Sequence, residues 1–407
     1  VRILALVHRV PYPPNKGDKI RAYHEIKYLA EKGHTIDLLT FADVREDTAW
    51  RDALAKFCRD VQIVRLDRRF SRARSVLALP RGRPLSVGYF ESFRFRRVLD
   101  RWLAERKYEI AFCYSSPMAE YVRGPSYAER MARIMDFVDV DSDKWSQYAE
   151  HTRQPMKALY RFEAKNLATY ERAIAEEFDA STFVSPAEAE TFRTTVAPMA
   201  RRVRDIPNGV DAEYFGAKAR APRPLASPLL VFVGQMDYFA NVDGVTYFAD
   251  EIMPRIRERL PGAEFRIVGR APTADVEKLG RRPGITVTGD VQDVRDHLKE
   301  ANVSVAPLRI ARGIQNKVLE SMAARVPSVV SPQAMEGIEG VHGKHALVCP
   351  DPESYARAVI SLVEEPSAGA ALASAARELV TSKYAWEPAM KRLEDLMLEC
   401  APGATKR

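Results

Sequence analysis

The chain has 407 residues, 46% hydrophobic and 29% charged, enough for two or three domains with sizeable cores at about 150 residues each. Sixty-two Lys and Arg against 55 Asp and Glu leave a net charge of +7, modest for this length. A disordered or low-complexity chain is excluded, and no apolar run approaches the roughly 20 residues of a membrane-crossing helix. The first ten residues are apolar but contain Arg2, His8 and Arg9, and they lack the apolar core and small-residue cleavage site of a secretory signal. Cys58, Cys113, Cys349 and Cys400 lie far apart with no C-x-x-C pair, which argues against a disulfide framework or a zinc site. Together these features predict a cytoplasmic protein.

In chain order, a buried strand at ILALVHRV is followed by an amphipathic helix with Ile20, Tyr23, Ile26 and Leu29 on one face, closed by Gly33. HTIDLLTFA is the next strand, and further strands are predicted at 62–66, 108–115, 133–140 and 179–185, with one long helix over 142–177. The second half repeats the scheme, with strands at 229–234, 264–269, 285–289, 303–308, 327–331 and 345–349. Strands alternating with helices imply parallel sheets covered on both faces. The Ala- and Pro-rich stretch 216–228 has the composition of a linker. The expected organisation is a first Rossmann-like domain over 1–215, the linker 216–228, a second Rossmann-like domain over 229–385, and a helical tail over 386–407. Ligands of open α/β sheets sit beyond the carboxyl ends of the strands, so a cleft between the two domains is the expected site.

Several segments follow strand ends. Lys16, Gly17, Asp18 and Arg21 form a basic turn into a helix N-terminus, suited to a phosphate or an acceptor hydroxyl; an ordinary turn with Asp18 as N-cap is the alternative. Asp136, Asp139, Asp141 and Asp143 alternate, but no EF-hand glycine or closing glutamate follows. Asp139 is the member placed in the cleft, and no metal site is predicted. IPNGVD (206–211) is an Asn-Gly turn and a candidate cleft wall. In PLRIARGIQNKVLESMA, Arg309, Arg312 and Gly313 lie in a loop ahead of a helix beginning near Gln315 and Asn316. Arginine forks and free backbone N–H groups coincide there, as a diphosphate requires, and Glu320, one turn on, can accept ribose hydroxyls. Between Arg65 and Arg83, seven arginines face one acid, Asp67, with Val76, Leu77 and Leu79 interleaved. This is either a solvated helix face or a surface for anionic lipid through Arg68, Arg69, Arg72 and Arg74. Nothing resembling a nucleic-acid module accompanies it.

IPNGVDAEYF and KVLESMAARVPSVVS, in this order and spacing, resemble the family-four (group 1) retaining glycosyltransferases of GT-B fold. FVGQMDYFANVDGVTYF, PLRIARGIQNKVLESMA and DFVDVDSDKW are similar to the exosortase-associated sugar transferases within that family. The resemblance runs from the first strand to about Lys391. It implies an α/β fold of two Rossmann-like domains facing across a cleft, a nucleotide-sugar donor and a lipid-linked saccharide acceptor in exopolysaccharide biosynthesis, while the arginine segment 65–83 predicts docking of the first domain on the inner membrane face. It also implies front-face retaining transfer with no metal or other cofactor. Glu320 matches the second glutamate of the family's Glu-x(7)-Glu motif, while the first is replaced by Arg312. The usual Arg and Lys after the first strand of the second domain are absent: Gly234 is followed by Gln235, with Asn241 further on. Arg270, Arg309, Arg312 and Lys317 are the substitutes, with Arg309 and Lys317 expected to stabilise the leaving group. Asp139 stands where many relatives carry a histidine. The rival readings are a sugar-nucleotide epimerase or phosphorylase of the same fold, and a non-catalytic scaffold.

Overall fold

A computed structural model describes residues 1–14, 17–42, 44–78, 80, 82–150, 152–311 and 314–401. The chain divides into two compact units, Val1–Pro207 with Ala389–Arg407, and Asn208–Pro388. In the first, β1 (Arg2–Val7), β2 (Thr35–Ala42), β3 (Asp60–Arg65), β4 (Ile110–Tyr114), β5 (Ala132–Val138), β6 (Ala180–Phe183) and β7 (Val203–Asp205) form one parallel sheet in the order β3-β2-β1-β4-β5-β6-β7. The five residues of β4 are all buried, the signature of a central parallel strand covered on both faces. The helix Gly17–Glu31 gives way to Gly33, whose φ of 84° is open to glycine at little cost. Sheet order reverses between β1 and β4, where Val7 pairs with Tyr114. The carboxyl ends of these two strands therefore flank the switch-point crevice. Below it Phe41 stacks on Phe95 at 4.4 Å and Trp102 is fully buried, each ring contributing about 2–3 kcal/mol through burial.

The helix expected over 142–177 is two helices, Asp141–Glu150 and Met156–Glu177, because Pro155 has no N–H to continue the ladder. The second helix holds its neighbours through buried carboxylates. Glu163 accepts the Leu85 and Ser86 N–H groups (2.5 and 2.9 Å) at the start of the helix Leu85–Phe90. Glu171 accepts the Ser142 N–H and hydroxyl (3.2 and 2.5 Å) at the start of Asp141–Glu150. Negative charge at a helix N-terminus is favourable, but burial pushes Glu171 up to about 8.

The second unit contains β8 (Leu229–Val233), β9 (Glu264–Val268), β10 (Ile285–Val287), β11 (Val303–Ala306), β12 (Ser328–Val330) and β13 (Leu347–Val348), parallel in the order β10-β9-β8-β11-β12-β13. Segment 216–228 is tied into this unit: Ala221 N–H donates to Lys299 O (2.9 Å), Arg220 to Leu298 O (2.7 Å), and Arg223 pairs with Glu264 (2.7 Å). The division between units accordingly falls at Pro207, ahead of the expected linker. In the Asn208-Gly209 turn a Cβ on Gly209 would lie 2.6 Å from the Trp386 backbone, so the turn seats the last helix, Trp386–Cys400. That helix continues into the first unit, where Glu394 pairs with His34 (2.9 Å) and Arg392 with Asp205 (2.9 Å).

The first unit holds a fully buried charge cluster. Arg21 has no solvent exposure; its Nε donates to Asp136 (2.7 Å), one terminal nitrogen donates to Ile206 O (2.7 Å), and Glu25 lies 3.0 Å away. Burial alone would lower its pKa, but Asp136 and Glu25 outweigh that and hold the guanidinium above its ordinary range. The same burial, with Asp136 next to it, pushes Glu25 well above the usual carboxylate value. One cation thus ties the first helix to the ends of β5 and β7. Arg21→Ala, which strands two buried carboxylates, should lower stability by about 3–5 kcal/mol, read as a fall in the urea midpoint. An unchanged midpoint would contradict this structural role.

Candidate functional site

In the second unit the strand ends converge on one polar group. A Cβ on Gly269 would lie 1.6 Å from Gly234 O, so only glycines allow the chain to leave β8 and β9 side by side. Gly234 also leaves room for the Asn241 side chain, whose Nδ2 a Cβ would approach to 2.9 Å. Asn241 is buried; its Nδ2 donates to Gln235 O (2.8 Å), and its Oδ1 accepts from Lys317 Nζ (2.8 Å). Lys317 also donates to Gln315 Oε1 (3.4 Å) and lies 5.3 Å from the Phe232 ring centre. It belongs to the helix Asn316–Ala323, which buries Val318, Leu319 and Met322 and is fixed to β11 by a hydrogen bond between the Ser321 and Ser304 hydroxyls (2.7 Å).

Desolvation lowers the Lys317 ammonium to about 8, with Glu320 opposing the shift. Desolvation raises Glu320 to about 7 against the pull of Lys317. A cation and a carboxylate one helical turn apart are thus both poised near neutrality, a common property of ligand sites. Arg270 joins through Gln235, whose Oε1 accepts from it at 3.1 Å. Arg309 is engaged elsewhere: it pairs with Asp243 and lies 4.9 Å over the Tyr247 ring, so it must exchange partners before it can reach a ligand. The structure therefore gathers Gly234, Asn241, Gln315, Asn316, Lys317, Glu320 and Arg270 within one unit. Arg312 and Gly313 lie outside the described residues.

In the first unit Asp139 follows β5, half-exposed and 3.8 Å from Lys144. Gly17 opens the helix Gly17–Glu31; Lys16 and the Asp18 side chain lie outside the described residues. The expectation for Arg21 is corrected: it is the buried anchor of the sheet and cannot meet an acceptor or phosphate. Lys19 is likewise buried, 3.5 Å from Asp47. Sequence reasoning passed over His8, which follows β1 at the switch point. Its ring lies parallel to Tyr114 (5.7 Å, 3°) and edge-on to Phe90 (5.6 Å, 85°). The signal available was its place, the first residue after a central strand.

Arg68, Arg69 and Arg72 are exposed on the helix Arg68–Ala78, and Arg74 is half-buried with Ser71 Oγ at 3.3 Å. Phe70, Val76 and Leu77 on that helix are 71%, 61% and 64% exposed; Leu79 and Arg81 lie outside the described residues. Among the described residues no helix is long and apolar enough to cross a membrane, and no three His, Cys, Asp or Glu side chains converge as a metal-binding group.

Comparison with known proteins gives two family matches in succession, a glycosyl transferase 4-like domain over residues 17–209 and the glycosyl transferases group 1 over residues 227–365. A glycogen synthase of Mycobacterium tuberculosis is 26% identical over 267 residues, covering 63% of this chain and 62% of its own length. An uncharacterized 44.6 kDa protein in the cps region of Klebsiella pneumoniae is 20% identical, covering 94% of this chain and 96% of its own. Among solved structures, HepE of Anabaena, determined with UDP and with UDP-glucose, shares 14% identity; in the UDP complex the TM-score is 0.65, covering 97% of this chain and 99% of HepE. With both domain models matched in order and the two-sheet architecture shared with these neighbours, the chain belongs to the group 1 glycosyltransferases of GT-B fold.

Proposed function

We propose that this chain transfers a sugar from a nucleotide-sugar donor to a lipid-linked saccharide, with retention at the anomeric carbon, in exopolysaccharide biosynthesis. The observation that carries the reading is the Lys317 ammonium, half-buried at the start of the helix Asn316–Ala323, held by Asn241 and followed one turn later by Glu320. Diphosphate on Lys317 and the helix N-terminus, with ribose on Glu320, uses each group for its charge. The UDP and UDP-glucose found with HepE, and the sugar chemistry named by the glycogen synthase, support a donor of this class. In the transfer, the acceptor oxygen bonds to the anomeric carbon on the face from which the diphosphate departs. The acceptor proton passes to a diphosphate oxygen. Lys317, with Arg309 released from Asp243, and Arg270 neutralise the charge that grows on the leaving group, so no metal is required. The sequence has Arg312 where the resemblance implies a glutamate that holds the donor sugar, and Asp139 is kept as a candidate catalytic carboxylate of the first unit.

Donor binding needs Glu320 ionised and Lys317 protonated. Glu320 loses its proton as pH rises through about 7, and Lys317 loses its own above about 8. A thermal-shift panel of UDP-, GDP-, ADP- and TDP-sugars should therefore select one nucleotide, and its affinity in calorimetry should peak between these values. Glu320→Ala should cost about 1.5–3 kcal/mol of binding and remove the acid limb of the profile, and turnover should survive excess EDTA. A flat profile in the unaltered protein, or no nucleotide bound, contradicts the reading.

The exposed Arg68, Arg69 and Arg72, with Phe70 and Leu77 two turns apart on one face, support docking of the first unit on an anionic membrane. Each arginine near the surface contributes about 1 kcal/mol, and the apolar side chains supply the second signal that stable attachment needs. Liposome sedimentation should require anionic lipid, weaken with salt, and fall when Arg68, Arg69, Arg72 and Arg74 become Ser. Equal recovery with neutral vesicles would contradict it.

A further inference from the structure

The segment that carries Asp139 is fastened more firmly than a strand-to-helix turn requires. The register of β5 against β6 shifts between Asp136 and Val138, and Phe137, between them, is buried with its ring stacked on Phe183 (5.3 Å, 9°). A bulge of this kind re-aims the residues beside it. Val138 then takes φ 73°, a left-handed backbone in which a β-branched side chain is strained. Three carboxylates hold the strained segment. Val138 N–H donates to Asp136 Oδ1 (3.3 Å), Val140 N–H to Glu188 Oε2 (2.8 Å), and the Ser142 N–H and hydroxyl to Glu171. They come from three elements: Asp136 from β5, Glu188 from the helix Pro186–Thr191, and Glu171 from the helix Met156–Glu177. Two of them are anchored in turn. Asp136 is held by Arg21 and by the Thr182 hydroxyl (2.8 Å), and Glu188 N–H donates to Ser185 Oγ (3.2 Å).

Between these fixed amides the Asp139 side chain is left 44% exposed, 3.8 Å from Lys144. Packing would be served by a glycine at position 138, which adopts this backbone without strain. Strain persists only where surrounding contacts over-determine it, and it collects at functional sites. What the bulge, the strained valine and the three carboxylates together supply is a fixed place for one outward-facing carboxylate. We propose that Glu188 is a positioning residue of the transfer reaction, holding the Val140 backbone so that the Asp139 carboxylate stays at the reacting atoms, with Glu171 as the second fastening. The proposal rests on the glycosyltransferase reading above, with Asp139 as its carboxylate, and gives Glu188 no contact with substrate.

The test uses the full chain. Glu188→Ala removes the acceptor from Val140 N–H, Glu188→Gln keeps an oxygen there, and Asp139→Ala is the reference. Release of nucleoside diphosphate is followed from UDP-, GDP-, ADP- and TDP-glucose. Glu188→Ala should lower kcat by about ten- to a hundredfold, the effect of misplacing a reacting group by about 1 Å. Donor KM should stay unchanged, and Glu188→Gln should stay near the parent. In the Asp139→Ala background, Glu188→Ala should cost nothing further; an equal loss there marks a structural role and overturns the proposal. Crystal structures of the parent and of Glu188→Ala give a readout without turnover. The Asp139 carboxylate should be displaced by about 1 Å while β5 stays in place, and a carboxylate found in its parent position overturns the proposal. If Glu188→Ala does not fold, Ser142→Ala, which removes only the hydroxyl bond to Glu171, takes its place with the same expectations in smaller measure. A parent chain that turns over none of the four donors fails the glycosyltransferase reading instead, and the crystal structures then still decide whether Glu188 places Asp139.

Discussion

The hydrogen bond from the Lys317 ammonium to the Asn241 amide oxygen is the interaction on which the second unit's candidate site depends. A lysine withdrawn from water loses hydration and drifts toward neutrality, as the fall of its pKa to about 8 reflects. Asn241 gives that charge a fixed oxygen, and Asn241 is itself oriented by Gln235 O and admitted by the missing side chain of Gly234. The backbones after β8 and β9, brought together at Gly234 and Gly269, thereby fix the position of one cation. An anion brought against Lys317 would restore what desolvation took away, which is the physical basis for the proposed phosphate there.

The buried charges of the first unit work in the opposite sense. Arg21 lies among Asp136, Glu25 and Ile206 O with no solvent exposure, so its attraction is spent on holding the sheet. Glu163 and Glu171 do the same for helix starts. What separates Arg21 from Lys317 and Glu320 is saturation. Arg21 has two carboxylates and a carbonyl around it, whereas Lys317 and Glu320, half-buried and shifted toward neutrality, respond to the next charge that approaches.

Much of the fold is legible in the alternation of apolar runs with amphipathic helices, because parallel strands buried on both faces must be continuously apolar. Both sheets and the KVLES helix follow from that pattern. Burial of a cation is not legible: Arg21 sits in a basic, turn-like context, and only Asp136, 115 positions away, shows that it faces inward. Pro155 in one otherwise helical stretch carried the signal for two helices, and the composition of 216–228 concealed its hydrogen bonds to Lys299 and Leu298. The cations that the resemblance implies after β8 are absent from the sequence at Gln235 and beyond, while the hydrogen bond from Lys317 to Asn241 is visible only in three dimensions. His8 escaped because a histidine beside an apolar strand reads as core.

The central claim is that the proposed donor site takes its cation from Lys317, held against Asn241. Calorimetry of UDP binding to the parent chain, to Lys317→Met, and to Lys317→Met with Asn241→Lys tests it most directly. The account predicts that Lys317→Met loses about tenfold or more in affinity, as loss of a charge-assisted hydrogen bond implies, and that Asn241→Lys recovers most of it. UDP binding to Lys317→Met with undiminished affinity, or a second substitution that recovers nothing, would contradict it.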